Sequence, residues 1–140
     1  MNSHLNLNRV SQWAMFKSTA VTVANGVVPL VLRGQDKTNA HTVSGGVVAL
    51  LAGRTYIISA GLPNDTTKGL KSIGIQRSID GGASWGLVWG SNMSGATGGG
   101  TASGTSITDV YTTTVPTKLR LTTSTYGLAA GAWLRCEVMG

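Results

Sequence analysis

The sequence predicts an all-β protein, built as an antiparallel sandwich or barrel. Short runs of apolar and β-branched residues are separated by Gly, Asn, Asp or Pro at regular spacing along most of the 140 residues. Three of these runs alternate strictly between apolar and polar residues, a pattern typical of strands with one packed and one solvated face. Eight or nine such strands are enough to enclose one core between two layers.

The first element is the only helical candidate. Within Leu7 to Phe16, four apolar residues (Leu7, Val10, Trp13 and Ala14) fall at helical spacing. Asn and Ser occupy most of the other positions and disfavour a helix there. After this segment the pattern predicts nine strands, at residues 16–24, 27–33, 46–51, 54–61, 70–79, 84–90, 107–115, 117–123 and 132–139.

The three alternating runs identify candidate core residues, because every second side chain of a strand points to the same face. The inward sets are Tyr56, Ile58 and Ala60; Leu119 and Leu121; and Leu134, Cys136 and Val138. Cys136 is therefore expected to be a small buried hydrophobe rather than a nucleophile. As the single cysteine of the chain, it also cannot form an internal disulfide.

Two connecting segments stand out between the strands. The uncharged stretch at residues 90–104 is rich in Gly, Ser and Thr, which predicts either a solvated loop or a loop ordered only against a partner chain. The segment Ser78–Trp85 resembles the Asp-box hairpin of sialidase-type propellers. There Asp80 is expected to accept N–H groups of the turn, Gly81 and Gly82 to supply positive φ angles, and Trp85 to fold back over the hairpin. One copy predicts a structural turn without sialidase activity.

Composition excludes several classes of protein. Only 11% of the residues are charged, against roughly 25% in an ordinary soluble domain. No apolar run approaches the length of a membrane span, so no membrane partner is expected. The first residues lack the order of a secretory signal, and we expect a reducing compartment. The net charge of +6 suggests nucleic acid, but the basic and aromatic residues do not interleave, so no specific nucleic-acid binding is predicted.

Catalytic candidates are sparse and scattered. The acidic residues are Asp36, Asp65, Asp80, Asp109 and Glu137. Their spacing along the chain does not indicate a pair that could act as general acid and general base. His4 lies near the N-terminus, so a hydrolase would depend on His41. The triplet Gly98–Gly100 lacks the Gly-Lys-Ser/Thr ending of a phosphate loop. We predict that the chain is not an enzyme and uses no cofactor and no metal.

The order of the features resembles the jelly-roll modules of the tumour-necrosis-factor/complement-globular type, as used by phage structural proteins. The resemblance covers most of residues 15–139. It is carried by Met15–Lys17, by Gly46–Ala60 with its Ala-Gly turn and Thr-Tyr strand, by Ile75–Gly82, by Lys118–Leu121 and by Trp133–Val138.

The resemblance implies an antiparallel jelly-roll β-sandwich of about eight strands at residues 15–140, preceded by a short N-terminal arm at residues 1–14. It implies a structural virion protein, a cement or decoration protein on the outside of a tailed-phage capsid that is made in the host cytoplasm. Its partners would be the major capsid protein and itself, as a homodimer or homotrimer. The alternative is a receptor- or glycan-binding domain of a phage fibre, with Trp85 or Trp89 stacked on sugar rings.

The low charge fits a chain that meets partners through apolar centres and polar rims. The candidate partner contacts are Arg9, Trp13, Met15, Phe16, Lys17, Arg33, Trp89 and Met93. For Met15, Phe16, Trp89 and Met93 the alternative is burial in the chain's own core, whereas Trp13 is expected to dock on a neighbour. Residues 1–77 hold eight basic and two acidic residues, whereas residues 78–140 hold three of each. The whole positive excess therefore lies in the first half, where Arg9, Lys17 and Arg33 are expected to steer the chain onto an acidic shell.

Overall fold

Ten β-strands form two antiparallel sheets in a computed structural model, which describes residues 13–20, 22, 26–35, 41–61, 73–89, 106–123 and 130–139. No helix occurs in these residues. The strands are β1 (Trp13–Ser18), β2 (Leu30–Gln35), β3 (Thr42–Ser44), β4 (Val47–Leu50), β5 (Thr55–Gly61), β6 (Ile73–Ser78), β7 (Gly86–Trp89), β8 (Ser106–Thr112), β9 (Thr117–Thr123) and β10 (Trp133–Val138).

Each sheet has five strands. The first sheet has the order β2-β1-β10-β5-β8, and the second sheet has the order β3-β4-β9-β6-β7. The first and last strands pair at the middle of the first sheet, where Phe16 lies opposite Leu134. On its other side β10 pairs with β5, so that Cys136 lies opposite Ile58. The two layers and the antiparallel pairing predicted from the sequence are confirmed.

The core lies between the inner faces of the two sheets. Its largest fully buried side chains are Tyr56, Phe16, Ile58, Ile73, Ile75, Leu119, Leu121, Leu134, Val28 and Val48. Burying each such side chain contributes about 1.5–3 kcal/mol. All eight inward residues that the alternating runs identify belong to this core, and Cys136 is completely buried among them.

A buried polar pair lies in the same interior. The hydroxyl of Tyr56 accepts a hydrogen bond from the backbone N–H of Leu51 at 2.9 Å. The same oxygen lies 3.2 Å from Nε2 of His41, which is itself 2% exposed. Burial raises the pKa of the Tyr56 hydroxyl. His41 is thus an interior partner of Tyr56, on the segment that leads into β3.

The helical candidate, which the sequence disfavours, is a strand where the structure describes it. Residues Trp13 to Phe16 belong to β1, which begins three residues before the predicted strand and ends at Ser18 rather than at residue 24. Pairing with β2 on one side and β10 on the other outweighs a weak local helical spacing. Trp13 and Ala14, expected in the arm at residues 1–14, are already part of this strand. Residues 1–12 lie outside the described residues.

The strand β3 is the one that the sequence pattern misses. It has three residues and pairs with β4 through a two-residue turn of Gly45 and Gly46. Their φ angles of 57° and 79° match the type I′ turn that the right-handed twist of a hairpin favours. A Cβ atom on Gly46 would lie 2.4 Å from the carbonyl oxygen of Val28, so the backbone approaches too closely there for a larger residue.

The hairpin between β6 and β7 confirms the Asp-box prediction. The Asp80 carboxylate accepts hydrogen bonds from the Ser84 hydroxyl, from the Ser84 N–H at 2.9 Å and from the Ser78 hydroxyl at 2.7 Å. These donors, with the Ser84 hydroxyl foremost, lower the pKa of Asp80 to about 2. Gly81 and Gly82 have φ angles of 76° and 97°, and Nε1 of Trp85 donates to the Gly82 carbonyl at 3.2 Å.

Candidate partner-binding surface

The outer face of the first sheet carries large apolar side chains where a solvated face normally carries polar ones. In register, Trp13 lies opposite Glu137, Glu137 opposite Ile57, and Ile57 opposite Val110, so these four form one row across the sheet. Neighbouring rows add further apolar side chains to the same face. We call this set the outer apolar surface, and it comprises Trp13, Met15, Ile57, Val110 and Trp133.

The ring of Trp133 lies flat on the backbone of the neighbouring strand. Trp133 is opposite Gly61 of β5, and a Cβ atom on that glycine would be only 2.4 Å from three atoms of the indole. The ring occupies the space that a side chain would otherwise take. Glycine at position 61 therefore fixes the orientation of the indole on the sheet.

Trp13 is positioned in a similar way at the other side of the surface. Its ring lies 3.6 Å from the place that a Cβ atom of Gly34 would occupy in β2. The guanidinium carbon of Arg135 lies 5.9 Å from the ring centroid, within the range of a cation–π contact. Both indoles are thus held half-buried on the sheet, with part of each ring facing solvent.

One ion pair lies among these apolar side chains. Arg135 contacts Glu137 at 3.0 Å, and the two side chains are 36% and 28% exposed. A pair this exposed contributes only about 0–1 kcal/mol to stability. Its effect is geometric, because it holds the Arg135 guanidinium against Trp13.

Hydroxyl groups border the surface along β5 and β8. Thr55 and Thr112 are hydrogen-bonded at 3.0 Å, and Ser59 and Thr108 at 3.1 Å, on either side of the apolar pair Ile57 and Val110. Further apolar side chains extend the surface at its margins, namely Val31 and Met139, which are 42% and 48% exposed. An apolar centre that contains Trp, Met and Arg, with polar groups around it, is the composition of a protein–protein interface.

The predicted contact residues are distributed unevenly over the structure. Trp13 and Met15 belong to the outer apolar surface, and Lys17 and Arg33 are exposed beside it on β1 and β2. Phe16 is a correction: it is completely buried in the core, because alternation along β1 turns it inward between two outward neighbours.

The other predicted contacts do not join this surface. Trp89 ends β7, an edge strand of the second sheet, and so lies on the opposite layer. Arg9, Met93 and the Gly-rich stretch at residues 90–104 lie outside the described residues.

Sequence reasoning missed Trp133, Ile57 and Val110 as surface residues. The available signal was their phase in the strands: Trp133 and Ile57 occupy outward positions beside the correctly predicted inward residues Leu134 and Ile58. A large apolar residue in the outward phase indicates a second packed face. The register that brings β10, β5 and β8 together was needed to show that the three share one surface.

Three of the groups with catalytic potential make structural contacts: Cys136 and His41 are buried in the core, and Asp80 is hydrogen-bonded in its hairpin, whereas His4, Asp36 and Asp65 lie outside the described residues. Burial raises the pKa of the Cys136 thiol to about 12, so the thiolate is strongly disfavoured. Within the described ranges no three His, Cys, Asp or Glu residues come together as metal ligands. The same ranges contain no helix that is long and apolar enough to cross a membrane.

Comparison with solved structures finds chains with a similar fold. Murine APRIL, in its crystal structure at pH 8.0, matches with a TM-score of 0.68 and 8% sequence identity, over 92% of this chain and 99% of APRIL. The PRD1 vertex protein P5 matches with a TM-score of 0.56 and 18% identity, over 92% of this chain and 96% of P5. Neither the family models nor the sequences of curated proteins give a match.

These similarities concern the fold. The chain is an all-β, tumour-necrosis-factor-like jelly-roll sandwich, as the sequence predicts, with ten strands rather than about eight in the described residues. At such low identities, function does not follow from the shared architecture.

Proposed function

We propose that this chain is a structural protein of a virion, a cement or decoration protein that self-associates and binds the major capsid protein on the outside of a tailed-phage capsid. The outer apolar surface is the observation that carries this proposal. A chain with only 11% charged residues that also exposes two tryptophans, a methionine and two aliphatic side chains on one sheet face is suited to being covered by another protein.

Two comparisons support this choice of partners. The jelly-roll resemblance implies a dimer or trimer, for which the outer apolar surface offers one continuous face. The match to the PRD1 vertex protein P5 supports a place in a virus particle, because that protein is named for a position on a particle shell. A binding role is also consistent with the burial of Cys136 and His41, whose side chains are directed into the core rather than towards a substrate.

The self-association part is tested by the mass of the purified full chain in native mass spectrometry. The variant Ile57→Lys places an ammonium group in the middle of the outer apolar surface, opposite Glu137 in the register. We expect the unmodified chain to be a dimer or trimer and the variant to be a monomer. The matched control is Thr122→Lys, at a half-buried outward position on the second sheet, which should leave the oligomer intact. A monomeric unmodified chain would contradict self-association.

The capsid part is tested with particles assembled without this chain. Adding the purified protein should raise the temperature at which the shells open, with a copy number comparable to that of the capsid subunits. Shells of unchanged stability, or a copy number far below that of the capsid subunits, would exclude a cement role. Attachment of only a few copies, at a tail fibre rather than over the shell, would instead favour the fibre-domain alternative.

A further inference from the structure

A groove lies on the outer face of the second sheet, the layer opposite the outer apolar surface. Its volume is about 390 Å³, within the usual range of small-ligand sites. It runs from the β3–β4 hairpin across β9 to the Asp-box turn. Its lining residues are Thr42, Ser44, Val47, Ala49, Gly81, Gly82, Trp85, Lys118 and Arg120.

Arg120 is held in place from two sides. Its Nε donates a hydrogen bond to Oε1 of Gln76 at 2.8 Å, and its guanidinium carbon lies 4.1 Å from the centroid of the Trp85 ring. In the described part of the chain the two terminal nitrogens of Arg120 have no hydrogen-bond partner. The guanidinium is therefore pre-organised, and its planar fork remains available for a carboxylate.

Lys118 supplies a second positive charge on the same face. It lies two residues before Arg120 in β9, so both side chains leave the sheet on the same side. Its Nζ is 3.3 Å from the carbonyl oxygen of Gly81. None of the described residues that line the groove is acidic. The nearby Asp80 carboxylate is occupied by hydrogen bonds from Ser78 and Ser84.

The rest of the groove is small and uncharged. Thr42 and Ser44 of β3 present hydroxyl groups that both donate and accept hydrogen bonds. Val47 and Ala49 of β4 form a low apolar floor, and Trp85 adds aromatic surface to the wall. A bare phosphate would leave most of the apolar and hydroxyl-bearing lining without a contact. A pyranose ring that carries a carboxylate matches all of it: the carboxylate matches the basic residues, the hydroxyls match the polar side chains, and the C–H groups match the apolar floor.

We propose that this groove binds an acidic saccharide, with the sugar carboxylate on Arg120 and Lys118 and its hydroxyls on Thr42 and Ser44. The ring would lie over Val47 and Ala49, with its C–H groups against apolar surface. This activity goes beyond the proposed capsid role and uses the opposite face of the molecule. A chain that covers its first sheet on a shell would still expose the groove.

The test is titration calorimetry of the full chain with trigalacturonate as the probe. Its carboxyl-reduced counterpart, a neutral galactose trimer, and inorganic phosphate serve as comparison ligands. We expect trigalacturonate to bind at least tenfold more tightly than either. The variant Arg120→Gln should weaken trigalacturonate binding at least tenfold, whereas Lys17→Gln, which removes one positive charge from the first sheet, should leave it unchanged.

A second variant tests the shape of the groove without changing its charge. Ala49→Leu fills the floor and should abolish trigalacturonate binding even if Arg120→Gln proves poorly folded. The proposal is overturned if trigalacturonate fails to bind, if the neutral trimer or phosphate binds equally well, or if Lys17→Gln weakens binding as much as Arg120→Gln. It is also overturned if a single-stranded oligonucleotide binds the groove more tightly than trigalacturonate, because the ligand would then be a nucleic-acid backbone.

Discussion

Gly61 determines the shape of the outer apolar surface, because the ring of Trp133 rests on it. We expect Gly61→Ala to lower the free energy of unfolding by about 1–3 kcal/mol, because the new methyl group overlaps the indole and forces it off the sheet. Chemical denaturation measures the loss, and a shift in tryptophan emission reports the displaced ring. Gly86→Ala in β7 is the control, since a Cβ atom there meets nothing within 4 Å. Equal effects of the two substitutions would show that the ring does not rest on Gly61.

Asp80 makes the stability of the folded chain depend on acid pH. The pKa of Asp80 is about 2 in the folded chain, against an ordinary value of 3.8. The ionised carboxylate therefore contributes fully to the free energy of unfolding above pH 3.8, and this contribution is lost as the pH falls through about 2. In Asp80→Asn we expect a lower Tm at neutral pH and a shallower fall of Tm with acidification. The difference in Tm between the two proteins should therefore narrow towards pH 2, as thermal melts at a series of pH values will show.

Ser84→Ala separates the causes of this shift. The Ser84 hydroxyl is the largest contributor to the lowered pKa of Asp80, so its removal should reproduce part of the shallower acid dependence. Ser44→Ala removes an exposed hydroxyl from the last residue of β3, in another hairpin, and should follow the unmodified chain at every pH. If Asp80→Asn keeps the full acid dependence, the hairpin carboxylate is not its source.

At the scale of single elements, the β3–β4 hairpin depends on two adjacent glycines for different reasons. Gly45→Ala strains a left-handed residue in open space, at a cost of about 1–2 kcal/mol. Gly46→Ala adds to the same strain a contact with the Val28 carbonyl, which is backbone and cannot rotate away. We expect Gly46→Ala to be the more destabilising by at least about 1 kcal/mol in chemical denaturation. If Gly45→Ala proved the more destabilising of the two, the backbone around Val28 would have to move to make room for the new Cβ atom at position 46.

The same elements show how far the sequence predicts this fold. Strands β5, β9 and β10 were predicted closely because their alternation is a local property, visible in runs such as Leu119 and Leu121. The strand β3 was missed because three residues of Thr, Val and Ser carry no such signal, and only the Gly45–Gly46 turn marks it. The start of β1 was misplaced because pairing with two distant strands, and not local pattern, makes Trp13 and Ala14 extended.

The candidate surfaces were less predictable than the strands because both are assembled across the sheets. Trp13 and Met15 were expected to contact a partner, but their neighbours Ile57, Val110 and Trp133 come from three other strands. In the groove, Trp85 and Arg120 lie 35 positions apart in the chain, yet their side chains are in contact. Sequence pattern assigns the face of a strand, whereas the register decides which residues share it.

At the scale of the whole molecule, each of the two sheet faces carries its own pair of basic residues. Lys17 and Arg33 are exposed on neighbouring strands at the outer apolar surface, so their charges act on whatever approaches that face. The groove places Lys118 and Arg120 on the opposite layer. Two of the eleven basic residues thus lie at each candidate surface, and the effect of a charge on attachment is expected to depend on where it lies.

The double variant Lys17→Glu/Arg33→Glu tests whether local charge guides attachment to particles assembled without this chain. We expect slower association at low salt, and little difference at about 1 M salt, where charges separated by more than about 3 Å are screened. Arg54→Glu/Arg77→Glu is the matched control, since it changes the net charge equally at exposed positions on the β4–β5 turn and on β6.

If both double variants slow association alike, the net charge of the chain is the cause. A loss for Lys17→Glu/Arg33→Glu that persists at high salt would instead mean that these side chains make direct contacts with the shell. Only a salt-sensitive loss confined to Lys17→Glu/Arg33→Glu identifies the first sheet as the face that approaches the capsid.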